Sequence, residues 1–246
     1  MNKSELTQFI SLYSLGGLVS SVKWSVKGNV LSTTFAAEDR SMAGTINHAN
    51  FTFEDCEFGI FNTEKFSAYL KVLEDEIEMA LAKNDAGKPT ALEFKDKSGT
   101  EISAMLSEPS VIPPAPKVKA IDAFNVEIPI DQVFISKYVR AKSALPDVDS
   151  VTFAMNKKGD KLEMIIGWAE RSASDRIKVE VKPIAGKDVL SRVMSFNADY
   201  LREILAKNST ATGAMLKIAE KGIAELAFST PDFQSTYFLI EKKLKN

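Results

Sequence analysis

An internal repeat constrains this chain more than any single motif. Residues 196–205 (FNADYLREIL) repeat residues 61–70 (FNTEKFSAYL) at the Phe-Asn pair, the acid that follows and two later apolar positions. Residues 134–138 (FISKY) repeat residues 9–13 (FISLY) at a similar distance. Self-similarity at a long, nearly constant spacing marks a duplicated structural unit. The sequence therefore predicts that one unit occurs twice, each copy with two short helices.

The two halves are predicted to be topologically similar domains of an α+β fold, with antiparallel sheets and two helices each. The length of 246 residues accommodates two domains of average size, and 45% apolar and 26% charged residues are typical of globular proteins. Each half is expected to contain two successive groups of elements, each in the order strand, helix, three strands. We expect the domains at residues 1–106 and 126–246, with a connector at 107–125.

The connector is marked by its prolines, because four of the nine prolines fall between residues 107 and 125. Proline lacks a backbone donor and favours extended conformations, so this segment is predicted to be a semi-rigid linker. It is too apolar for a fully solvated linker, and we expect it to lie against the protein. The apolar residues concerned are Val111, Ile112, Val118 and Ile121.

Hydrophobic periodicity and turn residues predict the secondary structure. Helices are expected at 4–15, after the N-cap Asn62, at 131–143 with Asp131 as N-cap, and at 198–207. Strands are expected near 18–26, 30–36, 41–47, 57–61, 77–82, 90–95, 100–106, 126–130, 149–156, 161–170, 174–182, 192–197, 212–219, 223–229 and 235–242.

A thiol or histidine site is not favoured by the sequence. The chain has one cysteine, Cys56, and one histidine, His48, so it contains no Cys/His cluster for zinc and no pair for an internal disulfide. Cys56 could act as a nucleophile with His48 as its base. The acids on both sides of Cys56 would raise the pKa of the thiol, however, and we interpret both residues as structural.

Metal and phosphate chemistry is equally weakly indicated. The acids at 74–76 and Glu78 could hold Mg²⁺, but a solvated turn after a helix is the simpler interpretation. No glycine-rich phosphate loop of the Walker or dinucleotide type is present. We therefore expect neither a metal, a cofactor nor a catalytic residue.

The polar faces of the predicted helices carry the clearest local positive charge. The net charge is −2, so the chain as a whole has no basic field that would indicate a nucleic-acid partner. Cations on the helices could still contact phosphates without regard to base sequence. The alternative is an ordinary solvated helix face, because acids share these faces. The cations are Lys71, Lys137, Arg140, Arg202 and Lys207.

The N-terminal residues are expected to begin a polar-faced helix and not a signal peptide. No apolar run approaches the roughly 20 residues that a membrane span needs. We therefore expect a cytoplasmic protein with no membrane partner.

Taken together and in their order along the chain, these features resemble a DNA sliding clamp, the processivity factor of replication. The segment from Phe196 to Lys207, followed by 214–218 (AMLKI) and 237–239 (YFL), is similar to the last helix and strands of proliferating cell nuclear antigen. Residues 130–182 resemble the tailed-bacteriophage clamps of the T4 type. The turn at 37–41 (AEDRS) matches the Ala-x-Asp-x-Ser turn of this superfamily.

The resemblance implies a homotrimer in which head-to-tail contacts close a ring of six domains, with the helices lining the hole. Edge strands would pair between copies. The residues implied at this contact are Glu101, Ile102, Ala104 and Met105, facing Arg176, Ile177, Val179 and Val181 of the next copy.

The resemblance also implies partners. Double-stranded DNA would be contacted without sequence preference, and Lys71 and Lys207 match lysine positions of the family. A replicative DNA polymerase and an ATP-driven clamp loader would insert a short hydrophobic peptide beside the connector. The pocket residues implied are Met42, Ala43, Val111, Ile112, Ile223, Phe238 and Ile240.

Three hypotheses remain open from the sequence. The first is a bacteriophage processivity clamp in the host cytoplasm, which itself hydrolyses nothing. The second is a β-rich structural protein, such as a virion ring component, that uses the same edge pairing without DNA. The third is a hydrolase that uses Cys56 or the acid cluster.

Overall fold

The computed structural model describes residues 2–116, 118, 121, 123–168 and 175–243. It divides the chain into two compact units. The first comprises Met1–Ala37, Gly44–Pro116 and Asp232–Gln234, and the second comprises Glu38–Ala43, Lys117–Pro231 and Ser235–Asn246. The predicted boundaries at residues 106 and 126 stay a prediction.

The first unit contains two helices and seven strands among the described residues. Its helices are α1 (Lys3–Ser14) and α2 (Thr63–Val72). One antiparallel array has the order β4-β1-β2-β3, and a second has the order β5-β6-β7. The strands are β1 (Val22–Lys27), β2 (Val30–Ala36), β3 (Met42–His48), β4 (Cys56–Ile60), β5 (Ile77–Lys83), β6 (Pro89–Asp96) and β7 (Glu101–Met105).

The second unit repeats this plan with one further strand. Its helices are α3 (Gln132–Ala144) and α4 (Ala198–Lys207). Its arrays have the orders β12-β9-β10-β11 and β8-β13-β14-β15. The strands are β8 (Val126–Pro129), β9 (Ser150–Met155), β10 (Leu162–Ile166), β11 (Ile177–Glu180), β12 (Met194–Asn197), β13 (Gly213–Ala219), β14 (Ile223–Ser229) and β15 (Phe233–Ile240).

The two tyrosines of the repeat occupy equivalent places. Tyr13 on α1 and Tyr138 on α3 are both completely buried. The hydroxyl of Thr63, the first residue of α2, donates to the Tyr13 hydroxyl at 3.5 Å. The Tyr138 hydroxyl donates to the carbonyl of Ala198, the first residue of α4, at 2.8 Å. Each tyrosine thus joins the two helices of its own unit, which confirms that the sequence repeat is a repeat of structure.

The predicted helices and strands are confirmed in type and order, with shifts at their ends. The strand expected at 18–26 begins only at Val22, because Leu15 (φ 47°), Gly16 (φ 72°) and Gly17 (φ 101°) carry the chain away from α1 through a 3₁₀ turn. Before α1, Asn2 forms a single antiparallel bridge with Glu76. Residues 169–174, at the ends of the strands predicted at 161–170 and 174–182, lie outside the described residues.

The first residues of the connector lie against β4, as expected from their apolar character. Ser107 and Gly59 exchange two backbone hydrogen bonds of 2.8 Å, and Ile112 is buried. A Cβ at Gly59 would lie 2.9 Å from Ile112 Cγ1 and 3.0 Å from the Ser107 carbonyl oxygen. Glycine is therefore required here because the connector approaches the β4 backbone so closely. Lys117, Lys119, Ala120 and Asp122 of the connector lie outside the described residues.

Asp96 links the turn after β6 to the residues that follow α2 through hydrogen bonds. Its carboxylate accepts from the Ser98 hydroxyl (2.6 Å) and from the backbone amides of Thr100 (2.9 Å) and Glu74 (3.0 Å). The hydrogen bond from Ser98, with those from Glu74 and Thr100, holds the pKa of this carboxyl well below its usual range. The folded state therefore favours the ionised form.

The stability contributed by Asp96 is expected to depend on pH. Because the folded-state pKa is lowered, the contribution is complete above the unfolded pKa of about 4 and is lost as pH falls through the folded value. Asp96→Asn should lower the urea midpoint at neutral pH, and its difference from the wild type should shrink in acid. Urea unfolding over a pH series measures this. Asp85→Asn, in the exposed turn after β5, is the control, and an equal effect of both variants would contradict the assignment.

Candidate nucleic-acid interface

The helix pair of the second unit packs through one apolar face on each helix. Capping fixes where the helices begin: Asp131 accepts from the Phe134 amide at 2.6 Å, and Asn197 accepts from the amides of Asp199 (2.9 Å) and Tyr200 (3.0 Å). The opposite faces are left for polar residues. The buried side chains are Phe134, Ile135, Tyr138 and Ala141 of α3 and Leu201, Ile204 and Leu205 of α4.

Three predicted cations of the second unit have no acidic partner among the residues that the structure describes. Lys137 and Arg140 are exposed, and their spacing of three residues puts them on one side of α3. Lys207 is partly exposed in the last turn of α4. In the described part of the chain, no carboxylate lies within 4 Å of any of the three. Their charge is therefore available to an external anion.

Two other cations of these helices are neutralised within the unit. The buried ammonium of Lys142 lies 2.9 Å from the Asp199 carboxylate and donates to the Pro146 carbonyl at 2.7 Å. The guanidinium of Arg202 donates to Glu203 Oε1 from Nη2 at 2.6 Å and from Nε at 3.0 Å. Sequence reasoning missed Lys142, because a lysine at a helix end is normally solvated.

The helices of the first unit carry fewer free cations. Lys71 is exposed in the last turn of α2 and has no acidic partner among the described residues. Lys65, one turn and a half earlier on α2, lies 5.7 Å from the centre of the Tyr69 ring. Lys3 of α1 is engaged by the Leu73 carbonyl and by Asp75 at 3.6 Å. The outer face of α1 is therefore polar, and it carries the exposed acid Glu5 but no unpaired cation.

The residues predicted at a contact between copies lie on two open sheet edges. Within the described strands, β7 pairs only with β6, and β11 pairs only with β10. Met105 is 77% exposed, Ile102, Ile177 and Val179 are half-buried, and Glu101 and Arg176 are exposed. Ala104 and Val181 are buried inside their own units, so their side chains are not offered to a neighbour.

The residues predicted for a peptide pocket fall in both units and differ in exposure. Val111 and Ile112 belong to the first unit and the other five to the second. Met42, Ala43 and Ile112 are buried and can support a surface but not line it as they stand. Val111 and Ile240 are exposed, and Ile223 and Phe238 are half-buried.

The turn at Asp39 is held rigidly within the second unit. The Asp39 carboxylate accepts from the Ser41 hydroxyl at 2.7 Å and from its amide at 3.0 Å, and the Ser41 carbonyl accepts from the Ile240 amide at 2.8 Å. Burial alone would raise the pKa of Asp39, but the hydrogen bonds from Ser41 outweigh it and lower this pKa. The turn thereby fixes the end of β15, where Phe238 and Ile240 lie.

The structure gives Cys56 and His48 separate surroundings. Burial and the neighbouring Glu54 raise the pKa of the Cys56 thiol to about 11, which agrees with the direction expected from the sequence. The His48 ring stacks on Phe233 with centres 4.4 Å apart, and its Nδ1 lies 3.3 Å from the Asp232 carbonyl oxygen. A thiol with so high a pKa is a poor nucleophile at neutral pH.

The described residues contain neither a metal-binding cluster nor a membrane-spanning helix. Within the described residues, no group of three or more His, Cys, Asp or Glu side chains is arranged to hold a metal ion. None of the helices in this part of the chain combines the length and the apolar character required to cross a bilayer.

Comparison with known proteins finds likeness in structure but not in sequence. No protein-family model and no curated protein matches the chain. Proliferating cell nuclear antigen of A. fulgidus, solved with the C-terminal region of FEN-1 bound, is 16% identical, with a TM-score of 0.74 over 100% of this chain and 98% of its own. The antigen of Entamoeba histolytica is 11% identical, with a TM-score of 0.73 over 99% and 97%. The chain therefore has the sliding-clamp fold of proliferating cell nuclear antigen over its whole length.

Proposed function

We propose that this chain is a sliding clamp that encircles duplex DNA and tethers a replicative DNA polymerase, conferring processivity. The observation that carries the proposal is the outer face of α3 and α4 on a clamp fold, where Lys137, Arg140 and Lys207 lack acidic partners within the described part of the chain. Lys71 of α2 adds a fourth free cation. Such groups bind phosphates, which are the same for every base sequence. A few cations hold a duplex weakly enough to let it slide.

The proposed ring is a homotrimer closed by pairing β7 of one copy with β11 of the next. Both strands have an open edge, and an open edge normally requires a partner or protection. Two large apolar side chains near β7 support an occupied edge: Val72 at the end of α2 is 65% exposed and Met105 is 77% exposed. Arg176 and Lys182 flank β11, whereas Glu101 on β7 is opposite in charge but already paired with Lys95 of β6 at 2.6 Å. A head-to-tail contact of this kind closes into a ring when its rotation permits.

The proposed partners are the polymerase and an ATP-driven clamp loader, which would use a short hydrophobic peptide. Val111 of the first unit and Ile223, Phe238 and Ile240 of the second expose apolar surface that such a peptide could contact, whereas Met42, Ala43 and Ile112 are buried. One of the similar structures was solved with the C-terminal region of FEN-1 bound. The proposed setting is the cytoplasm of a phage-infected host.

A topological experiment tests the proposed function without a clamp loader. The protein is incubated at low salt with a linear duplex, both ends are blocked with bulky streptavidin, and the complex is challenged with high salt. We expect retention in high salt, because salt screens phosphate contacts but cannot release a closed ring. Cutting the duplex internally should then release the protein.

Two other results have definite meanings in this experiment. A structural ring protein of the virion type would show no difference between blocked and free ends. Binding that disappears in high salt even on the blocked duplex would overturn encirclement. Gel filtration of the complex before and after cutting measures both outcomes.

A further inference from the structure

The charge of Arg202 is withheld from the outer face of α4 by its neighbour in sequence. Two nitrogens of the Arg202 guanidinium, Nη2 and Nε, donate to the same oxygen of Glu203, at 2.6 and 3.0 Å. The Arg202 side chain is 42% exposed and that of Glu203 is 19% exposed. The pair therefore sits at the surface with its cation accessible and its acid largely covered.

The other acid of α4 does not compete for this guanidinium. Asp199 lies beside the buried ammonium of Lys142 at 2.9 Å. The hydrogen bond to Glu203 is the main reason that the pKa of Arg202 is raised, with Asp199 contributing less. Glu203 is therefore the dominant partner of Arg202, and each acid of α4 has its own cation.

We infer that Glu203 masks Arg202 from a phosphate backbone and thereby limits how tightly the helix face grips a duplex. This inference rests on the proposed function. A phosphate that approaches the guanidinium also meets the Glu203 carboxylate held against its Nε and Nη2 atoms, so repulsion by the acid largely offsets attraction by the cation. Arg202 thus adds little net attraction as the pair stands, although it lies on the same helix as the free cation Lys207.

Removing the acid should expose the cation. Glu203→Gln keeps the shape of the side chain and removes its charge, so Arg202 can then neutralise one phosphate. Each phosphate neutralised makes the slope of log K against log salt more negative by about 0.9. We expect Glu203→Gln to bind a short duplex more tightly at low salt, with a slope steeper by about that amount per copy. Fluorescence anisotropy over a salt series measures the slope.

A matched control separates unmasking from a change of overall charge. Glu64 on α2 is exposed and has no cation within 4 Å among the described residues, so Glu64→Gln removes the same charge without freeing a cation. Its slope should stay close to that of the wild type. Arg202→Gln alone should also change the slope little, whereas in the Glu203→Gln background it should remove the whole gain.

The outcomes distinguish this inference from the proposed function. Equal effects of Glu203→Gln and Glu64→Gln, or the same loss on Arg202→Gln in both backgrounds, would overturn the masking while leaving duplex binding intact. Absence of salt-dependent duplex binding in all the variants would overturn both. Circular dichroism and thermal unfolding of each variant confirm that the fold is kept, so that a change in slope is not a consequence of unfolding.

Discussion

Replacing Ser103 with proline is expected to convert the proposed three-copy assembly into single copies. Ser103 lies in the middle of β7, the open edge proposed to pair with β11 of the next copy. Proline in that position removes a backbone donor and places a ring where the neighbouring strand would lie. Light scattering over a concentration series measures the mass, because mass action can dissociate a weak ring on dilution.

The hydrogen-bond register shows why this residue is suitable. The Leu106 amide donates to the Thr90 carbonyl of the β6 side at 2.9 Å. In an antiparallel pair the inward donors alternate, so the amides of Ala104 and Ile102 point to β6 and that of Ser103 points outward. Proline at Ser103 therefore leaves the hydrogen bonds between β7 and β6 in place and removes a donor only from the outer edge of β7.

The size of the effect follows from the lost contact. One backbone hydrogen bond contributes about 1 kcal/mol net, and displacement of the facing strand adds to the loss. Since about 1.4 kcal/mol is a factor of ten, the association constant at each contact should fall by about tenfold or more. Ser103→Ala keeps the amide and should retain the wild-type mass. A Ser103→Pro protein that still has the mass of three chains would exclude β7 as the contact.

The sequence alone predicted the helices and most strands well, and the reason is physical. The start of a helix depends on residues close in sequence. The side chains of Asn62, Asp131 and Asn197 each accept hydrogen bonds from backbone amides two or three residues later, as an N-cap residue does. The internal repeat supported the prediction of the other elements, because the same order of helices and strands was expected in both halves. Tyr13 and Tyr138 were already matched in the sequence and make equivalent contacts in the structure.

Exposure at the candidate sites could not be predicted in the same way. Phe61 and Phe196 are equivalent in the repeat, yet Phe61 is 66% exposed and Phe196 is 1% exposed. The packing of Phe196 on Phe153, with ring centres 6.2 Å apart, brings together residues that are distant in sequence. Burial is decided by such tertiary contacts and not by the residue type. For the same reason the burial of Met42 and Ala104 was not apparent from their positions in strands.

The ion pairs of α3 and α4 likewise could not be predicted from the number of charged residues on each helix. On a helical wheel Arg202 and Lys207 are two cations of one helix. In the structure Arg202 is held by Glu203, and Lys142 in the last turn of α3 is buried beside Asp199. The face that remains positive is therefore smaller than the sequence indicated.

The pair of Lys142 and Asp199 leads to the other large effect that we expect, on stability. Asp199→Ala should lower the free energy of unfolding by about 3 kcal/mol, because a buried cation that loses its partner is strongly unfavourable. The full penalty of a buried pair is reduced because the Asp199 side chain is 48% exposed. Part of the expected loss comes from α4, whose first turn would no longer carry an acid beside the positive end of the helix dipole.

A substitution of the lysine separates the loss of the ion pair from the loss of the acid at the start of α4. Lys142→Met removes the buried charge and fills its place with an apolar side chain of similar length, so Asp199 is left with access to water. This change should cost only about 1 kcal/mol, since replacing a buried ion by a well-packed apolar group is often nearly neutral. Urea unfolding of both variants at one fixed protein concentration gives the comparison. A larger loss for Lys142→Met than for Asp199→Ala would show that the ammonium is stabilised mainly by the Pro146 carbonyl and not by the carboxylate.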